Sequence, residues 1–171
     1  MRYCPMCASP LVRRHVAGRE RPVCTSCSYI GYRNPAPVGL IAAIKDGKIL
    51  LLKRSIDPLG GFWAPPTGFV EWDETVAEAV VRETKEETNV DVVVDKLIGV
   101  YSRPNVGVLM IAYKGRVVGG EAIPCEDADE VGFFGPDGLP AQPAKHGGTD
   151  ADYWFENILR DVFMRFREGQ I

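Results

Sequence analysis

Three carboxylates, Glu83, Glu86 and Glu87, fall at spacings that put them on one side of a helix. Like charges packed so closely repel one another, and a hard divalent cation with oxygen ligands removes the repulsion. Lys85, between them in sequence, points elsewhere on the helix and cannot neutralise the group. Taken without its surroundings, such a cluster also fits a plain solvated acidic face. A second set of chemistry-bearing residues lies at the start of the chain. Cys4-Pro-Met-Cys7 and Cys24-Thr-Ser-Cys27 are two CxxC knuckles separated by sixteen residues. Each knuckle turns two thiolates to one side, and two knuckles make a tetrahedral sulfur cage suited to zinc. Disulfides are disfavoured because nothing suggests export. A redox-active CxxC is disfavoured because there are two knuckles at this spacing.

The elements that must position these groups are readable from pattern. The 171 residues are 46% hydrophobic and 25% charged, which excludes a disordered chain over most of its length. No apolar run approaches the ~18 residues of a membrane span, and the N-terminus has no signal-peptide pattern, so a cytoplasmic protein is expected. The net charge of −3 divides unequally. Residues 1–34 carry six arginines against one glutamate, which is +5, and the remainder carries −8. Two modules are therefore expected, 1–34 and 35–171. The first is too small for an apolar core and draws its folding energy from zinc, with a strand over Leu11–Val16 and a turn at Ala17-Gly18. Its arginines form a solvated positive surface or contact nucleic acid, the second reading being less favoured since few aromatic residues interleave with them.

In the second module, Asn34–Pro37 reads as a linker. Val38–Ile44 and Ile49–Leu52 read as strands joined at Asp46-Gly47. Asp57–Gly68 reads as a Gly/Pro loop. Thr75 with Glu78 is a capping box, so a helix runs from Thr75 to Thr88 and closes at Asn89. Ala77, Val81, Thr84 and Thr88 are its expected buried stripe. Strands follow at Leu97–Val100 and Val108–Tyr113. A helix over Asp150–Arg167 carries Tyr153, Trp154, Ile158, Val162 and Phe166 on an apolar face that packs on the sheet or contributes to a homodimer.

The stretch Gly68 to Val90 resembles the Nudix box, Gly-x5-Glu-x7-Arg-Glu-U-x-Glu-Glu-x-Gly-U, where U is a bulky aliphatic residue. Gly68, Glu74, Arg82, Glu83, Glu86, Glu87 and Val90 match. Thr84 stands where an aliphatic residue is usual and should weaken the packing behind the helix. Asn89 stands where glycine is usual. The zinc ribbon ahead of the box resembles the arrangement in NADH pyrophosphatases and related ribbon-bearing Nudix hydrolases. The resemblance implies an α+β fold, a Nudix α/β/α sandwich with a mixed sheet behind a small zinc-ribbon module. It implies hydrolysis of a nucleoside diphosphate linked to another group, with Mg2+ or Mn2+ at the helix and a structural Zn2+ at Cys4, Cys7, Cys24 and Cys27. Glu86 and Glu87 become metal ligands, and Glu83 a ligand or the base that activates water. Arg82 and Glu74 orient this face through an ion pair, with Arg82 pointing away from the acidic stripe. The Gly68 backbone approaches the metal. Asp127, with Glu126 next, fits a further loop acid, and Glu130 fits the position before the following strand; the plain alternative is a polar loop. Cys125 is an ordinary thiol.

For the substrate, NADH pyrophosphatases carry Ser-Gln-Pro-Trp-Pro-Phe-Pro where this chain has Tyr101-Ser102-Arg103-Pro104-Asn105. Losing the Trp and Phe argues against NADH. Pro104 lies close to where ADP-ribose pyrophosphatases carry a proline, so ADP-ribose or a related nucleotide sugar is the leading substrate. NAD(H) and a non-catalytic nucleotide sensor or nucleic-acid binder are the alternatives. Arg54 and Arg103 are candidate phosphate contacts. Tyr101, Phe62 and Trp63 stack on a base or belong to the core, and His146 lies in a flexible loop.

Overall fold

The computed structural model describes residues 2–56, 59–102, 107–143 and 154–171. The chain separates into two compact units, Met1–Asn34 and Pro35–Ile171.

The first unit is a two-stranded antiparallel ribbon, β1 (Leu11–Val16) and β2 (Arg19–Cys24). Ala17 and Gly18, both at positive φ (48° and 76°), form its turn. Among its described residues only Cys4, Cys24 and Gly31 are buried. Packed apolar side chains therefore do not hold it together.

The second unit is built on a mixed sheet. β3 (Ala36–Lys45) and β4 (Lys48–Arg54) form a hairpin, turned by Asp46 and Gly47 at φ 49° and 71°. The sheet then takes in β5 (Trp63–Ala64), β6 (Thr67–Phe69), β7 (Val90–Ser102), β8 (Val108–Gly120) and β9 (Ala128–Phe134). Its order is β5-β4-β3-β8-β7, with β6 on β3 and β9 on β4. Among the described residues only β3 and β8 run parallel, and the other strand pairings are antiparallel. The described helices are α1 (Val76–Thr88) and α2 (Arg160–Arg167), the latter preceded by a π-helical stretch, Trp154–Leu159, together with a 3-10 turn at Pro136–Gly138. None of the described helices is long and apolar enough to cross a membrane.

Period-two alternation along β3 splits the core between the two sheet faces. Val38, Leu40 and Ala42 join Ile49, Leu51, Met110, Ala112, Ile158, Val162 and Phe166 in the cluster under α2. Ile41 and Ala43 join Leu50, Val80, Val90 and Val92 under α1. The result is an α/β/α sandwich, as the box implied. The expected α2 face is borne out at Ile158, Val162 and Phe166, all buried.

Several local expectations are corrected. Pro37 does not keep the chain out of the sheet, because it sits within β3 opposite Leu109 of β8. The expected loop before the box contains β5 and ends in β6. β7 is far longer than Leu97–Val100, and three register shifts interrupt the alternation that would have revealed it. On α1 the buried residues are Ala79, Val80, Thr84, Glu87 and Thr88, while Val81 is exposed. Thr84 does not loosen the packing. It is wholly buried, and its hydroxyl donates to the Val80 carbonyl at 2.6 Å. Thr88 does the same to Thr84 at 2.5 Å, so neither hydroxyl is left unpaired.

Candidate active site

Helix α1 presents the acids, and local chemistry fixes its two ends. The Thr75 hydroxyl accepts from the Glu78 N–H at 3.2 Å, and Glu78 accepts from the Thr75 N–H at 2.8 Å. At the other end Asn89 holds φ 57° and its N–H bonds the Lys85 carbonyl. Asparagine also does what glycine cannot: its side-chain amide donates to the Glu121 carbonyl at 3.2 Å. Ile123 and Cys125 donate their N–H groups to the carbonyls of Thr88 and Glu87, at 3.0 and 3.1 Å. These bonds satisfy the open end of α1 and tie the 121–127 loop to it.

Two opposed glycines, Gly39 on β3 and Gly68 on β6, let α1 lie close on the sheet. A Cβ on Gly39 would come within 2.4 Å of Val80 Cγ1. A Cβ on Gly68 would lie 1.8 Å from the Glu83 carboxyl carbon. Val80 and Glu83 are three apart, so one helix face meets both glycines. Gly68 is the seat of Glu83.

Arg82 organises the acids. It forks onto Glu74 at 3.0 and 2.6 Å and donates to the Phe69 carbonyl at 3.1 Å. Its Nη1 also reaches Glu83 at 2.9 Å and Glu86 at 2.8 Å. Arg82 therefore does not point away from the acidic stripe. The long side chain turns back over the stripe from the neighbouring position. Nη1 takes one oxygen from each of Glu83 and Glu86 and leaves their second oxygens outside its reach.

The Arg82 hydrogen bonds, with help from the Glu71 N–H, pull the Glu74 carboxyl down to about 2. A depressed folded-state value stabilises the native state above the ordinary carboxylate range, and this is lost as pH falls toward the folded value. Glu74→Gln should therefore lower the melting temperature most near neutral pH. The gap from wild type should close between about pH 4.5 and pH 2 in pH-dependent thermal denaturation. A gap that is constant with pH would rule out the ion pair as its source.

Glu87 lies below this layer, only 5% exposed. Burial, opposed by the Thr67 N–H and by Arg54 and reinforced by Glu83 and Asp127, pushes its carboxyl up to about 8. The Thr67 N–H bonds its Oε2 at 3.1 Å. Burial likewise raises Glu83. Asp127 is thus close enough to act on Glu87, whereas Glu130 is paired with Lys53 at 2.8 Å. Arg54 reaches toward the same corner, where its Nη1 donates to the Thr67 hydroxyl at 3.4 Å.

Not every candidate belongs here. Phe62 is buried in the core, and Trp63 packs edge-on against Phe134 at 5.0 Å. Tyr101 donates its hydroxyl to Asp161. Arg103, Pro104, Asn105 and His146 lie outside the described residues. Thr67 was missed by sequence reasoning, since only the β3–β6 pairing reveals its place between Arg54 and Glu87.

Both donor sets fit a divalent metal. Oxygens from Glu83, Glu86, Glu87 and Asp127 are hard donors of the kind Mg2+ or Mn2+ takes, and the Gly68 seat keeps room at Glu83. In the first unit all four thiols lie within 4.8 Å of one another, the closest pairs at 3.5–3.7 Å. Four sulfurs at ~2.3 Å from one zinc would stand about 3.8 Å apart, so the cage is sized for the ion. Backbone N–H groups of Met6, Ser26 and Cys27 point at the Cys4 and Cys24 sulfurs, as thiolates require. Among the described residues no other group of three or more side chains gathers ligand atoms so tightly, and the carboxylates of α1 are more spread.

Known proteins share this organisation. The Nudix domain profile matches residues 33–155, and the Nudix N-terminal zinc-ribbon profile matches residues 2–33. The ADP-ribose pyrophosphatase of Methanocaldococcus jannaschii is 43% identical over 129 residues, covering 73% of this chain and 70% of that protein. The NAD-capped RNA hydrolase NudC of Pseudomonas aeruginosa is 33% identical over 170 residues, covering 98% of this chain. The chain spans 57% of that relative's length. A NUDIX hydrolase crystal structure from Nitrosomonas europaea superposes with a TM-score of 0.84 at 28% identity, covering 99% of this chain and 92% of that one. With the box residues gathered on and around α1 and the domain matched over most of its length, this chain belongs to the Nudix family and carries that family's N-terminal zinc ribbon.

Proposed function

We propose that the protein hydrolyses the diphosphate bond of a nucleoside diphosphate linked to another group, with ADP-ribose or a related nucleotide sugar as substrate. The observation that carries this is the Glu83 carboxyl seated on Gly68, beside the Arg82 fork and above buried Glu87. Glu86 and Glu87 would hold the catalytic cation together with the Gly68 backbone and Asp127. Mg2+ or Mn2+ supplies neutralisation of the diphosphate charge and activation of water. Glu83 takes the proton of the attacking water or completes the ligand set. Arg82 and Glu74 keep Glu83 and Glu86 in register, since their fork ties the helix to the Phe69 carbonyl. Arg54 and Arg103 neutralise the phosphates. Zn2+ at the four cysteines is structural.

The likeness to the Methanocaldococcus jannaschii enzyme supports ADP-ribose. A second reading, an NAD(H)-type diphosphate, draws on the NudC relative, whose match runs through the ribbon as well as the Nudix domain. Incubation with Mg2+ or Mn2+ and product identification decide between them: ADP-ribose yields AMP and ribose 5-phosphate, NADH yields AMP and the reduced nicotinamide mononucleotide. Glu86→Gln should lower the preferred rate by about 10²-fold or more. Equal inactivity of wild type and variant across the panel would favour a sensor.

A further inference from the structure

Arg54 is held in an under-satisfied pose. It lies on the α1 face of β4, and its backbone is pinned by bonds to Phe62 and Gly61 at 2.9 and 2.7 Å. Among the described residues its Nε is buried with no hydrogen-bond partner, and its Nη1 makes only the 3.4 Å bond to Thr67. A guanidinium offers five donors arranged for an oxyanion. A buried donor left unpaired costs stability, and such costs persist where binding repays them.

Thr67 governs this cation. Its backbone is fixed by pairing with Leu40, and a β-branched side chain is stiff at χ1. Its hydroxyl accepts from Arg54 while its N–H holds Glu87 Oε2 at 3.1 Å. One residue thus sets the spacing between a cation short of partners and the deepest carboxylate of α1. We propose that Thr67 is a positioning residue whose hydroxyl holds the Arg54 guanidinium ready for a non-bridging phosphate oxygen beside Glu87. When the phosphate arrives, Arg54 keeps the Thr67 bond and adds a charge-assisted one from a guanidinium N–H that is still unpaired. This rests on the diphosphatase reading above.

The test uses the full chain with ADP-ribose and saturating Mg2+. Thr67→Val keeps the N–H that holds Glu87 and removes only the hydroxyl. It should raise KM about fivefold with kcat within about twofold, and Thr67→Ser should restore KM. Arg54→Met should raise KM about 30-fold or more, yet leave the ligand-free melting temperature unchanged or a few degrees (~1–4 °C) higher, because it removes the unpaired buried donor. A wild-type KM in Thr67→Val, a failure of Thr67→Ser to rescue, or a lower melting temperature in Arg54→Met without a change in KM would overturn the proposal. Each is read against an active wild type; a wild type inactive on the whole diphosphate panel overturns the parent reading and this one with it.

Discussion

Gly68→Ala should cost about 10²–10⁴-fold in kcat, the range for losing a general base, while the protein stays folded. The added methyl would stand 1.8 Å from the Glu83 carboxyl carbon and 2.1 Å from Oε1. No rotamer adjustment of a few tenths of an ångström removes that overlap, so the carboxyl leaves its seat. What moves is the end of a flexible side chain, because the atoms met first are those of Glu83 and not backbone. The β3–β6 pairing and the core under α1 therefore survive, and the melting temperature should fall by only a few degrees (~2–4 °C). Glu83→Gln should show a loss of the same order. The double variant should lose little more than either, since both changes remove one carboxylate from one place. Near-wild-type turnover in Gly68→Ala would show that the seat does not matter to the reaction. Equal and fully additive losses would show that glycine acts on something other than Glu83.

The second large effect concerns the ribbon. Cys4→Ser should abolish stoichiometric zinc and unfold residues 2–34, leaving the Nudix unit folded. The reason is what the small unit lacks. Its only buried described residues are two of the zinc-cage cysteines and Gly31, so no apolar core remains when the cage opens. The thiols already contact one another, at 3.5–3.7 Å. Hydrogen bonds from the Ser9 side chain and backbone pull Cys7 down to about 6. Cys27, despite the Tyr29 N–H that lowers it, is pushed up to about 12 by Cys24, burial, Cys7 and Cys4. One thiol ionises at its neighbours' expense, whereas a divalent cation lets all four ionise together and returns ~10–16 kcal/mol at neutral pH in comparable small zinc modules. Metal analysis and amide exchange of the ribbon are the measurements. Retained zinc at one per chain, or a protected ribbon without it, would sink the four-thiolate site.

The sequence alone determined the features that rest on short-range spacing. The two knuckles, the capping box, the hairpin at Asp46-Gly47 and the fixed positions from Gly68 to Val90 are local patterns whose physics needs no distant residue. They were enough to propose metal binding at both sites and to name the family. The tertiary structure decided what depends on residues far apart in the chain. Helical spacing chose Val81 for the interior, but the glycine pair Gly39–Gly68 draws α1 down on its Val80–Glu83 side and leaves Val81 outside. The reach of Arg82 over Glu83 and Glu86 was invisible because a long side chain need not follow the direction of its Cα. The length of β7 was hidden by register shifts that break a period-two pattern. Thr67 had no signal of its own. It acquires a place between Arg54 and Glu87 only when β6 pairs with β3 and α1 packs across both. Local spacing encodes which groups are present; long-range pairing sets the distances and burial that give each one its chemistry.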